Sequence, residues 1–226
     1  MTGNIACILI HGFGGDTGEI EPLAAYLENL GYEVRRTRLA GHTGRRREMK
    51  HATHRDWIRS AEDDYLDLYS DYEKIILIGF STGGLIAANL AANYPAAAVI
   101  TISTPIYVWD FKRILANLSK GVKERSMESL KWYAYSAFSF PLASLIHFKL
   151  LLHKSKRLFS LLNCPLYVLQ GLDDDTVHRK SADFIYRSSP SGNKHLDYFE
   201  PSGHVMLKGP ASDEAIRKIV NFIETI

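Results

Sequence analysis

A chain of 226 residues, 46% hydrophobic and 23% charged, fits one large domain and can bury roughly three quarters of its unfolded surface. Its 27 basic and 25 acidic side chains leave a formal charge of +2, which argues against nucleic acid as the main partner. The stretch MTGNIACILIHGFGG lacks a basic leader and a signal core, and no run approaches the roughly 20 apolar residues that span a bilayer. A cytoplasmic, monomeric or weakly oligomeric enzyme or binder without membrane insertion is the resulting expectation.

Taken in chain order, IACILI (5–10) reads as a buried strand and EIEPLAAYLENLG (19–31) as a helix stopped by Gly31. YEVRRTRL (32–39) alternates enough to be a more exposed strand. The basic run Arg45-Arg46-Arg47, with Lys50 nearby, reads as a solvated loop, because no aromatic residues interleave with it to suggest a phosphate-binding patch. Residues 54–70 place Trp57, Ala61, Tyr65 and Leu68 on one helical face. Strand 75–79, helix 84–93 before Pro95, and strand 97–102 follow. The alternation resumes with strand 164–171, a helix near 179–188, strand KHLDYFE (194–200) and a terminal helix 211–225. Strands alternating with helices mean an α/β protein whose mostly parallel sheet is covered by helices on both faces.

Residues 106–160 interrupt that rhythm with helical spacing, many aromatic and aliphatic side chains, and no strand. They read as a small helical cap inserted into a core made of 1–105 and 161–226; an ordinary pair of packing helices is the other reading. Cys7 and Cys164 sit at the edges of apolar runs as buried, inert thiols, with one long-range disulfide as the alternative.

In an open parallel sheet, ligands bind at the carboxyl ends of the strands. Ser81 follows strand 75–79 within Gly79-Phe80-Ser81-Thr82-Gly83, a G-x-S-x-G joining a strand to a helix. A tight turn there strains the serine backbone and exposes its hydroxyl, and bulkier residues at 79 and 83 would clash as strand and helix close together. A serine hydroxyl needs a base to become a nucleophile. Of nine histidines, His204 in EPSGHVML is best placed, in the loop between the last strand and the last helix. His195 lies inside a strand, His178 crowds the acidic loop, and His51 and His54 lie away from a matching strand end.

The histidine needs a carboxylate, and Asp173, Asp174 and Asp175 follow strand 164–171, with Asp110 as an outside alternative. No metal-binding spacing accompanies the Asp triplet. An oxyanion needs aimed backbone N–H groups: Thr82 at a helix start supplies one, and the loop HGFGGDTGE the other. That loop fails the G-x-G-x-x-G register of a dinucleotide turn.

These residues resemble the α/β-hydrolase superfamily, most closely the small bacterial carboxylesterases and monoacylglycerol lipases with a short cap. The likeness covers nearly the whole chain. His11-Gly12-Phe13-Gly14-Gly15 resembles the family's oxyanion loop, implying that the Phe13 N–H pairs with that of Thr82. Gly171 to Val177 resembles its acid loop and implies Asp174 as the acid, while Ser202-Gly203-His204 resembles its histidine loop. The resemblance implies an α/β-hydrolase fold and a serine hydrolase with Ser81, His204 and Asp174 as triad and no cofactor or metal. The implied substrate is a small carboxylic ester of short or medium acyl chain, monoacylglycerol among the candidates. Ile106, Trp109, Val177 and Val205 are the expected pocket lining. A thioesterase, a cofactor-free perhydrolase, or a non-catalytic receptor on the same fold are the other readings.

Overall fold

A computed structural model of the chain describes residues 4–108 and 140–226. Six strands, β1 (Ile5–Ile10), β2 (Glu33–Thr37), β3 (Lys74–Phe80), β4 (Ala98–Ile102), β5 (Leu166–Gly171) and β6 (Lys194–Phe199), form one sheet in the order β2-β1-β3-β4-β5-β6. Every neighbouring pair is parallel. The apolar runs alternate between two cores, as strand geometry requires. Cys7 and Leu9 of β1 face one way, against Leu23 and Leu27 of α1 (Glu21–Asn29) and Ile216 and Ile219 of the terminal helix Ser212–Ile223. Ala6, Ile8 and Ile10 face the other.

That second face carries α2 (Arg46–His51), α3 (His54–Tyr69), α4 (Thr82–Asn93), α5 (Leu142–Ser155) and α6 (Lys180–Ser188); the terminal helix is α7. Helix α3 starts at a capping box, in which the Asp56 carboxylate accepts from the Thr53 N–H at 2.8 Å. Trp57, Ala61, Tyr65 and Leu68, one face by spacing, are its buried residues together with His54. Strands β2 and β6 are the two edges, β6 rather than β2 being the more exposed, and Arg36 on β2 pairs with Glu21 and Glu28, charges that discourage edge-to-edge pairing.

The basic run departs from expectation. Arg46 to His51 form a short helix, not a loop, although Arg45, Arg47 and Lys50 around it are exposed. A six-residue helix is too short to hold by propensity alone. It is anchored by buried Met49, whose carbonyl accepts from the Ser144 hydroxyl of α5 at 2.9 Å. Within the span expected to be a cap, Leu151 of α5 and nearby Phe159 are fully buried in the second core. Residues 109–139, which include most of that span, lie outside the described residues.

Both cysteines are free. Cys7 is buried, which pushes its thiol up to about 12, and Cys164 is half-buried with its thiol also raised by desolvation. Neither is a reactive thiolate.

Candidate active site

The strand order reverses between β1 and β3, so the loops leaving their carboxyl ends diverge and open a crevice. One loop is 11–16; the other is the turn at Ser81. Ser81 holds φ 51°, ψ −120°, a left-handed backbone that a non-glycine residue adopts only under strain. Closeness explains the flanking glycines. A Cβ at Gly79 would run into the Gly83 carbonyl group, and one at Gly83 into the Ile10 carbonyl of β1. Gly84, not singled out by the motif, is equally constrained, because its Cβ would meet the Thr104 side chain. The Ser81 N–H donates to the Ile102 carbonyl at 2.8 Å, tying the turn to β4.

His204, beyond β6, sits beside this serine, with its Nε2 3.1 Å from Ser81 Oγ. Its Nδ1–H donates to Asp174 Oδ2 at 2.9 Å. Asp174 is the buried member of the aspartate triplet, while its two neighbours are exposed. Its Oδ1 accepts from the Val177 and Thr176 N–H groups at 2.7 and 2.9 Å, and Oδ2 also accepts from Gln170 Nε2 at 3.0 Å. Burial pushes this carboxyl up, but the bond and charge of His204 and the two backbone amides outweigh it and hold the group below the usual carboxylate range. Asp173 serves the site differently. It accepts from the Ser202 N–H at 3.1 Å, joining the acid loop to the histidine loop.

The other histidines are elsewhere. His54 is buried against His147 and Lys154, His195 lies beside Tyr167 and Phe222, and the His178 N–H donates to the Tyr107 carbonyl. Among the expected pocket residues, Ile106 is buried in the second core. Val177 is buried and bridges to Val108, and Val205 is partly exposed next to His204. Trp109 and the alternative acid Asp110 lie outside the described residues. Among the described residues, no group of His, Cys, Asp and Glu could hold a metal ion.

Loop 11–16 is braced by a residue that the sequence placed in the oxyanion loop without assigning its side chain a part. His11, 1% exposed, donates from Nδ1 to the Gly12 carbonyl at 2.9 Å and accepts from the Leu39 N–H at Nε2, 3.3 Å. In a trans peptide the C=O and N–H point opposite ways, so fixing the Gly12 carbonyl aims the Phe13 N–H. The Phe13 ring is set from the other side by Trp57, Phe140 and Phe148, at centroid distances of 5.6, 5.0 and 5.4 Å. Thr82 opens α4, so its N–H lies at the positive end of the helix dipole. The sequence placed His11 at the head of the oxyanion loop by family likeness but gave its side chain no role.

The two bonds require His11 neutral, and burial pushes it down to about 4 from an ordinary 6.5. The unfolded chain therefore binds a proton that the folded chain refuses between those values. Stability contributed by neutral His11 is full above about pH 6.5 and lost as pH falls towards about 4, by about 3 kcal/mol at most. Urea unfolding across this range should show that loss, and His11→Asn should flatten it. An equal slope in the variant would mean other groups carry the dependence.

This parallel sheet, with a strained serine after β3, an acid after β5 and a histidine after β6, has the architecture of an α/β-hydrolase. The family model described as serine aminopeptidase, S33, matches residues 4–144, and the chain belongs to that family. It is similar to a carboxylesterase of Bacillus subtilis (strain 168), 26% identical over 231 residues, covering 99% of this chain and 94% of that one. It is also 28% identical over 214 residues to a thermostable monoacylglycerol lipase of Bacillus sp. (strain H-257), covering 90% and 84%. Among solved structures, the study of LipS and LipT, metagenome-derived lipolytic enzymes, gives a TM-score of 0.84 at 20% identity, covering 100% of this chain and 96% of that one. The protein is an enzyme, a serine hydrolase of the kind to which these relatives belong.

Proposed function

We propose that this cytoplasmic enzyme hydrolyses carboxylic esters with short to medium acyl chains, monoacylglycerols included, using Ser81, His204 and Asp174 as its triad. The observation that supports this is the continuous chain of hydrogen bonds from Ser81 Oγ through His204 to Asp174, at 3.1 and 2.9 Å. His204 Nε2 takes the Ser81 proton as Oγ bonds to the ester carbonyl carbon. The oxyanion that forms is met by the Phe13 and Thr82 N–H groups. Collapse breaks the bond to the alcohol, which leaves with the proton held by His204. Water then repeats both halves on the acyl-enzyme, releasing the acid and restoring Ser81.

The names of the two Bacillus relatives support an ester as substrate. The aromatic group of Phe13, Trp57, Phe140 and Phe148 supports an apolar acyl site next to the oxyanion loop. Each buried methylene contributes about 0.8 kcal/mol, roughly fourfold in binding. Catalytic efficiency should climb from acetyl to medium-chain esters and then level as the site fills. Phe148→Ala should weaken that climb. A flat series unchanged in the variant would place the acyl site elsewhere. Faster turnover of matched thioesters than of esters would move the assignment to a thioesterase.

A further inference from the structure

Glu19 is a half-buried carboxylate at the catalytic crevice without a part in the mechanism above. It lies in a short 3-10 turn, Thr17–Glu19, that precedes α1. Its Oε2 accepts from the Gly12 N–H at 2.9 Å. A Cβ on Gly12 would lie 3.1 Å from that oxygen and 3.2 Å from Ser81 Cβ, so the carboxylate borders the serine turn. The whole carboxyl group, Oε2 included, occupies the space that a side chain at Gly15 would take. Glu19 thus threads through the loop, touching it at both Gly12 and Gly15.

We infer that Glu19 is a positioning residue for the oxyanion loop. The inference rests on the proposed serine-hydrolase mechanism. His11 holds the carbonyl of Gly12 while Glu19 holds its N–H. The two peptide units on either side of Gly12 are each gripped once, which fixes the direction of the Phe13 N–H. A hydrogen bond to an ionised acceptor is stronger than a neutral one, so this grip is the firmer when Glu19 is charged. Burial pushes the carboxyl up, opposed by the Gly12 bond and by attraction to His204; Asp16 adds to the rise and Lys208 opposes it.

Three variants test this role. Glu19→Ala removes both acceptor and charge, and should cut kcat at least roughly tenfold with a smaller change in KM. Glu19→Gln keeps an oxygen that can accept from Gly12, so it should recover most of that kcat. Gly15→Ala is the independent probe. The Gly15 backbone is not left-handed, so alanine fits its conformation, and the atoms it meets are the flexible end of Glu19. It should reproduce the kcat loss of Glu19→Ala, and the double variant should be no worse than either single change.

Hydrogen exchange at the Gly12 amide reads the same contact without substrate. It should quicken roughly tenfold in Glu19→Ala and Gly15→Ala but not in Glu19→Gln. Unchanged exchange in all three, or Glu19→Gln as slow in turnover as Glu19→Ala, would overturn the inference. An intact chain that hydrolyses no ester would sink the proposed function instead, and the exchange rates would still decide whether Glu19 holds the loop.

Discussion

Ser81→Ala should lower kcat/KM for a soluble ester by roughly five to six orders of magnitude and leave the protein folded. The size of the loss follows from what remains. Without Oγ there is no acyl-enzyme, and His204 has no serine proton to take. The oxyanion amides and the binding site persist, so some acceleration over water should survive. The fold should persist as well, because the turn is held by the backbone bond from Ser81 N–H to Ile102 and by the packing of Gly79, Gly83 and Gly84. Alanine at a left-handed φ is somewhat strained, as serine already is there. Circular dichroism and the urea midpoint would establish that the variant is native. A folded Ser81→Ala protein with turnover near that of the parent would remove Ser81 from the mechanism.

Asp174→Asn should cost roughly four orders of magnitude in kcat, against far smaller effects for Asp173→Asn and Asp175→Asn. The hydrogen bonds around Asp174 show why an isosteric change is so damaging. Two backbone N–H groups, of Thr176 and Val177, point at Oδ1, so the amide oxygen of asparagine must take that position. Its NH2 then faces His204 Nδ1 and forces that nitrogen to be the acceptor. The proton moves to Nε2, which can no longer accept from Ser81. Gln170, whose Nε2 donates to Oδ2, would meet the same NH2 and would have to turn its amide over. Asp173 and Asp175 are solvent-exposed and make no contact with the imidazole among the described bonds. Small, equal effects at all three positions would move the acid away from this loop.

The four inner strands were legible because they are near-continuous apolar runs buried on both sides, and the helix over 54–70 because a single periodic face meets the core. The nucleophile turn was legible because both its glycines fall inside one short motif, although only Gly79 is constrained within it, by Gly83, while Gly83 itself is constrained by Ile10 of β1. Gly84 was not legible, because its constraint comes from Thr104, beyond another strand. His11 and Glu19 stayed hidden for the same reason. Their roles depend on which backbone groups the fold brings to them, Leu39 in one case and Gly12 in the other. The helix at Arg46–His51 was missed because, among its described side chains, Met49 alone is buried, too little to show a period. The acid was narrowed to three adjacent aspartates by strand position, with Asp174 preferred through family likeness; burial and the bond to His204 are properties that spacing does not carry.

The central claim is that Ser81 is the attacking nucleophile, and covalent trapping tests it most directly. A fluorophosphonate, whose P–F bond breaks as Ser Oγ bonds to phosphorus, should add one equivalent per chain with loss of ester hydrolysis in step. Peptide mapping should place the adduct on Ser81, and His204→Ala should slow its formation. A chain that keeps its ester hydrolysis unlabelled, or that carries the adduct on another residue, would contradict the account.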